Sequence, residues 1–418
     1  MTIRTRLGRR RAVRPPRLLA VLAAVLLAVS LGSVPASAAG EQAIPEWQKY
    51  EPKGYDTSPL PKEKQARVAT PEDTALDKLN GEIVVSWWKL KNPKDPKRSL
   101  FVLEAEPGWK QPRQIGQQGT YVWAIADEAN EEQPQFPFLN GIISFKRGLP
   151  FGGSPGTATI DGKPGIRGNN LSFDHDPAAN TWHVQGQSPN NSANFTVDQV
   201  VPGSVGSYYP PDGHTTGPTN VDAVANGRVH GSLTLNGRKI DLDGWRTNYW
   251  RMNMFPSVFD SQLNPVTSWR GWEWNMVLEP DGGASQYYAM MDPSGRMHDG
   301  YLVDARPSGT RVCSRITMKF GDYHWGRSMF GDISPPFQRY TIPGWIKVKC
   351  APGEKVQMEK TFYPDSRDYV DAGLLTATEM PMHTVPGSFG TYEHMRYSTY
   401  RAQKFAERNQ PAQAQQSQ

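Results

Sequence analysis

Over most of the chain, apolar and polar residues alternate in short runs broken by turn-forming pairs. Leu233 and Leu235 alternate with polar neighbours, Asn236-Gly237 follows, and Ile240 and Leu242 then alternate with Lys239, Asp241 and Asp243. Asn-Gly between two such runs is a strong hairpin signal, because the tight turn needs positive φ at both central residues. Asp281-Gly282 sits in the same way between Trp272–Leu278 and Gln286–Met291. Asp161-Gly162 and Pro293-Ser294-Gly295 mark further turns. Helical periodicity is almost absent. The pattern predicts an all-β, antiparallel architecture, sandwich or barrel. Thr70-Pro71-Glu72-Asp73 is the exception: an N-cap, a proline at the first helical position and early acids predict a short helix over Pro71–Leu79.

The ends read differently. Residues 39–80 are an arm, rich in Pro, Lys and Glu in its first part, with the short helix at its end. Residues 409–418 are a Gln-rich, low-complexity tail expected to be disordered. The stretch between is too long for one typical core. Tyr208–Asn226, with Pro210-Pro211-Asp212-Gly213 and Gly217-Pro218, offers the best connection, dividing the chain into domains at residues 81–218 and 219–408.

Charge adds less than its total suggests. The chain has 46 Lys plus Arg against 41 Asp plus Glu, a net of +5. Residues 1–38 hold seven of the arginines and no acid, so removing them leaves 39 against 41, a net of −2. Those residues read as a secretory signal. A basic stretch precedes an apolar run from Leu18 to Leu31, and Ala36-Ser37-Ala38 supplies small residues for cleavage near Ala38. The run is shorter than the ~20 residues that span a bilayer. The reading expects an exported protein with no stable membrane span and no nucleic-acid partner. In an oxidising compartment Cys313 and Cys350 are expected to pair, the alternative being two buried thiols.

Several chemistries lack their signatures. There is no His-Glu-x-x-His, no Cys-x-x-Cys and no phosphate loop, so no metal and no cofactor are expected. Gly152-Gly153-Ser154-Pro155-Gly156 fits the nucleophile-elbow string, but Pro155 has no N–H to donate to an oxyanion. It reads as a turn, as does Asp174-His175-Asp176 before Pro177.

The 13 tryptophans cluster. Trp87-Trp88 follows Ile83-Val84-Val85. Trp245 and Trp250 flank Arg246-Thr247-Asn248-Tyr249. Trp269, Trp272 and Trp274 lie in Ser268–Asn275. Strand alternation puts Trp245, Thr247 and Tyr249 on one face and Arg246, Asn248 and Trp250 on the other. It likewise separates Trp272 and Trp274 from Glu273 and Asn275. Each ring taken singly suits a core. Mixed with Arg, Asn, Tyr and Glu, the clusters suit an apolar pocket with a few polar groups.

Three of these segments carry a resemblance: Ser86-Trp87-Trp88-Lys89-Leu90; Gly231–Asn236 through Gly244-Trp245-Arg246-Thr247-Asn248-Tyr249-Trp250; and Gly271-Trp272-Glu273-Trp274 through Leu278 to Asp281-Gly282. In order and spacing they resemble the two-domain lipocalin-like family of carotenoid 1,2-hydratase (hydroxyneurosporene synthase), kievitone hydratase and the fungal Diels–Alderases. The resemblance implies two lipocalin-like β domains and a cofactor-free site for a long apolar polyene, polyketide or isoprenoid. It implies aromatic walls from Trp87, Trp88, Trp245, Trp250, Trp272 and Trp274, at or near the domain interface. Where the hydratases carry His-Asp-His, this chain has Arg246, Thr247 and Asn248, and Glu273 is the remaining carboxyl. Protonating an isolated alkene needs a positioned acid. A cycloaddition needs folding of the substrate and donors only. The leading expectation is therefore a cyclase or isomerase with Arg246, Asn248, Tyr249 and Glu273 as catalytic candidates. A hydratase with Glu273 as acid and a non-catalytic lipid carrier are the alternatives.

Overall fold

A computed structural model describes residues 43–44, 49, 52–62, 65–78, 83–94, 99–106, 114–127, 153–208, 219–254, 271–291, 296–328, 341–365, 368–371 and 375–397. The expected signal segment, the turn at Pro293-Ser294-Gly295 and the expected tail lie outside them. The described residues belong to one unit, Ala43–Gln418, and almost all regular structure in it is strand. Among them no helix is long and apolar enough to cross a membrane.

The strands, in chain order, are β1 (Gly54–Tyr55), β2 (Arg67–Val68), β3 (Ile83–Lys91), β4 (Ser99–Glu106), β5 (Gln118–Asp127), β6 (Gly153–Thr159), β7 (Gly165–Arg167), β8 (Leu171–Asp176), β9 (Thr181–Gln187), β10 (Ser192–Tyr208), β11 (Thr219–Leu235), β12 (Arg238–Asp241) and β13 (Trp245–Met254). They continue as β14 (Gly271–Leu278), β15 (Ala284–Met291), β16 (Arg296–Arg306), β17 (Gly309–Cys313), β18 (Ile316–Gly321), β19 (His324–Trp325), β20 (Arg327–Ser328), β21 (Thr341–Ile342), β22 (Trp345–Cys350), β23 (Glu359–Pro364), β24 (Asp368–Asp371), β25 (Leu375–His383) and β26 (Phe389–Tyr397).

Two sheets of twelve strands result, antiparallel except where β1 meets β16 and β20 meets β24. The first runs β6-β5-β4-β3-β13-β11-β10-β9-β8-β7. A bridge between Ala158 and Gly168 brings its two ends together, so it nearly closes. The second runs β1-β16-β15-β14-β26-β25-β23-β22-β18. It is drawn round by the Cys313–Cys350 disulfide, which joins β17, beside β16, to β22, with Cα atoms 5.9 Å apart. Each sheet encloses a core. Trp88, Phe173, Trp182, Phe195 and Tyr249 are central to the first, and Tyr287, Ile346, Val348, Phe362 and Tyr392 to the second.

Local chemistry explains the hairpins. Asn236 and Gly237 have φ of 51° and 78°, the left-handed pair needed between β11 and β12. Gly282, with φ of 90°, turns β14 into β15, and the Asp281 carboxylate accepts the Gly283 N–H at 2.9 Å. Three expectations are corrected. Tyr208–Asn226 does not separate two domains, because β10 and β11 pair with each other from Ser192↔Thr234 to Tyr208↔Thr219. The change of sheet falls between Met254 and Gly271. The helix over Pro71–Leu79 is instead two 3-10 turns, Pro71–Thr74 and Leu76–Lys78. Ala75 between them is extended (ψ 139°) and bridges Pro164 and Gly165, which buries Ala75 and Leu76 in the first core. Residues 152–156 are expected as a turn, but residues 153–156 open strand β6, held in register against β5.

The arm is ordered by pairing. β1 lies on β16, and the Tyr55 hydroxyl donates to the Met318 carbonyl. Ala66 N–H donates to Ser314 Oγ at 2.9 Å. β2 then joins β10, and Ala69 N–H donates to the Gly203 carbonyl at 2.9 Å. The arm thus crosses from the second sheet to the first. The sheets also meet directly. Ser204 Oγ donates to Gln286 Oε1 and Gln286 Nε2 donates to the Tyr301 hydroxyl, each at 3.1 Å. Gly206 lies so close to Tyr301 that a Cβ there would sit 2.0 Å from its ring.

Candidate functional site

The described aromatic side chains fall in two places. Trp88 and Tyr249 are register partners on β3 and β13 and stack at 4.6 Å inside the first core. Trp182, Phe173 and Phe195 surround Trp88 at 5.5 to 6.1 Å. Trp245 belongs to the same core. Trp87 and Trp250 are register partners one position along, and Trp272 pairs with Met290 and Met395. For these three the backbone alone is described. Trp274, buried, shares a face of β14 with Met276, opposite Tyr288 and Gln286 on β15. This is the face on which Gln286 meets Ser204 of the first sheet. At this point the two sheets are in direct contact.

The polar candidates divide as well. Arg246 lies on the face of β13 opposite Trp245 and Tyr249 and reaches the second sheet, 5.7 Å above the Phe389 ring, beside Lys91 at 4.5 Å. Burial lowers its pKa, and the charges of Asp281 and Glu279 act against that. Asn248 is buried on the Arg246 side. Arg246, Asn248 and Tyr249 therefore do not share one space with Glu273.

Glu273 points into the second core. On β14 it alternates with Trp274, so Glu273, Asn275 and Val277 face inward, and Glu273 and Asn275 are fully buried. The hairpin register places Asn275 opposite Tyr287, and β26 places Tyr392 on its other side. One row thus reads Tyr287–Asn275–Tyr392, with Glu273 two residues along the central strand. The Tyr392 hydroxyl donates to Glu273 Oε2 at 2.8 Å. Asn275 Oδ1 accepts the Tyr287 N–H at 2.7 Å, and its Nδ2 donates to Met382 Sδ at 3.1 Å. Both phenols are held well above their ordinary pKa, by burial first and then by the charge of Glu273. They remain protonated donors. Ala289, directly opposite Glu273 on β15, puts only a methyl beside the carboxyl. A buried acid with a phenol donor in an apolar surround can hold and deliver a proton.

At the other end of β14 the chemistry is ionic. A cleft of about 430 Å³ is lined by Glu279, Asp281, Arg306, Glu359, Lys360 and Thr384 among others. Its cations are engaged: Lys360 Nζ lies 2.9 Å from Asp304, and Arg306 contacts Asp304, Asp281 and Glu279 at 2.8, 3.0 and 3.3 Å. Thr384 Oγ1 and Ser285 Oγ donate to Glu279. This network closes that end of the sheet. Among the described residues no His, Cys, Asp or Glu cluster could hold a metal ion.

Asp174-His175-Asp176, expected as a turn, lies wholly in strand β8. His175 stacks on Trp182 at 4.4 Å, and burial lowers its pKa against the charge of Asp176. Asp174 pairs with Arg167 at 2.6 Å, and Asp176 accepts the Ala178 N–H in the turn that follows. Sequence reasoning missed Tyr287 and Tyr392. The Asp281-Gly282 hairpin could have placed Tyr287 by counting across it. Nothing local marks Tyr392, which lies 119 residues from Glu273.

No family model matches the chain, and no curated protein matches its sequence. Solved structures of similar fold include a protein assigned as AttH from Nitrosomonas europaea, 12% identical, covering 81% of this chain and 98% of that one, with a TM-score of 0.46. They also include kievitone hydratase from Nectria haematococca, 13% identical, covering 84% and 98%, with a TM-score of 0.42.

Proposed function

We propose that the protein is a cofactor-independent hydro-lyase that adds water to a double bond of an apolar substrate bound within the second sheet, with Glu273 as the acid. The observation that supports this is the fully buried Glu273 carboxyl, held by Tyr392 and flanked by Asn275 and Tyr287 on one inward face. In the proposed step the Glu273 proton passes to one alkene carbon, whose π electrons form the new C–H bond. A water oxygen adds to the cation at the other carbon. The resulting oxonium returns a proton to the Glu273 carboxylate, so alkene and water become an alcohol. The Tyr392 hydrogen bond supports the carboxylate while it is charged. Cycloaddition is less well supported, because Arg246 and Tyr249 lie on opposite faces of β13 and Glu273 lies in the other sheet. The expected setting remains an exported protein acting on a polyene, polyketide or isoprenoid.

The test uses Glu273→Gln, assayed with isoprenoid and polyene substrates in 18O-labelled water. Turnover is expected to fall at least a hundredfold, by the ordinary size of general-acid effects, and wild-type product should carry the label. Product of unchanged mass would overturn hydration and favour cyclisation. Recovery of every bound substrate intact would leave the carrier.

A further inference from the structure

We propose that the Tyr287 hydroxyl anchors an oxygen atom of the ligand, so that the natural ligand is an oxygenated apolar molecule, with a carbonyl, ether or hydroxyl, and not a plain hydrocarbon. This rests on the reading of the second core as the ligand site. Tyr287 is fully buried, yet its hydroxyl has no hydrogen-bond partner among the described residues. Buried polar groups in folded proteins are almost always paired, so an orphan needs a cause. Its neighbours cannot supply one as placed. Asn275 spends its carbonyl on the Tyr287 backbone N–H and its amide on Met382. The Tyr392 hydroxyl is given to Glu273. The Phe362 ring, edge-on at 5.0 Å, fixes the Tyr287 ring and offers no acceptor.

The geometry relates this donor to the proposed acid. Tyr287 is two positions from Ala289, which faces Glu273, so donor and carboxyl share one wall of the core. Two residues along a strand span roughly 7 Å. A ligand oxygen held by Tyr287 therefore sets its reacting double bond a few bonds away, at Glu273. A hydrocarbon would leave the hydroxyl buried and unmet, which is unfavourable for a polar group. An oxygenated ligand recovers that penalty, and Tyr287 acts as a specificity determinant.

Two probes of matched carbon skeleton separate the cases: farnesal, which has a carbonyl acceptor, and farnesene, which has none. Binding is read by quenching of intrinsic tryptophan fluorescence in wild type and Tyr287→Phe, with a thermal melt of each. Wild type should bind farnesal more tightly. Tyr287→Phe should weaken farnesal about fivefold to tenfold, leave farnesene unchanged and leave the melting temperature at or above wild type. Equal binding of both probes to both proteins would overturn the anchor and mark the hydroxyl as the site of a buried water. A lowered melting temperature with equal losses for both probes would overturn it in favour of a structural role. Binding of neither probe would overturn the ligand site itself, and the anchor with it.

Discussion

Asp304 is almost fully buried, yet it stays ionised. Burial pushes its pKa up, but hydrogen bonds from Arg311 and Lys360 and the charges of Lys360 and Arg306 outweigh that and hold it at about 2. An unfolded aspartate titrates near ~3.9. The folded value is the lower one, so the network stabilises the fold above that pH and the contribution fades as pH falls toward 2. The linkage is worth about 2–3 kcal/mol at neutral pH. Asp304→Asn should lower the melting temperature most above about pH 5. The difference from wild type should shrink toward pH 2 in calorimetry, and a difference independent of pH would count against this assignment. At this same scale Glu273 was legible, as the carboxyl left in an aromatic segment whose alternation turned it away from Trp274. Its phenol partner on β26 was not, since pairing across 119 residues leaves no local mark.

Elements were legible where their chemistry is local. Asn236-Gly237 and Asp281-Gly282 specify their own backbone angles, and both hairpins are present. The Pro- and Gly-rich stretch after Tyr208 misled because linkers share that composition. What decides its role is the length of pairing between β10 and β11, a property of two strands together. Residues 152–156 misled likewise, since the strand state of residues 153–156 depends on β5. The disulfide belongs to this scale because it ties elements across the open side of a sheet. Cys313 and Cys350 are 37 residues apart. By the chain-entropy account the bond contributes about 4 kcal/mol. Cys313→Ser with Cys350→Ser should unfold at markedly lower urea, with the first sheet's tryptophan signal changing less than that of the second. An unchanged midpoint would show that the second sheet holds its curl without the bond.

For the whole molecule, the two-part β architecture followed from chain length and the turn spacing, but the relation of the parts did not. Ser204, Gln286, Tyr301 and the close approach of Gly206 bring the two sheets into direct contact. A bare backbone position against an aromatic ring is a feature of the assembled surface, invisible in either strand alone. Gly206→Ala should destabilise by about 1–3 kcal/mol, the usual range for overpacking. Adding Tyr301→Ala should remove most of that new penalty in a double-mutant cycle. Strict additivity would mean that the sheets can part without cost at this point.

The arm that crosses both sheets also imposes a timetable. Its first strand pairs with Arg296 and Met297, and Tyr55 bonds to Met318, 263 residues further along. None of those partners exists when the arm is made. At roughly 5–20 residues per second of synthesis, its backbone waits on the order of 10 to 50 seconds for them. During that interval Gly54–Tyr55 is an uncommitted strand segment, open to other chains or to a chaperone, and Arg67–Val68 is one until Ser204 and Val205 are made. Each segment is claimed only by a strand made long after it.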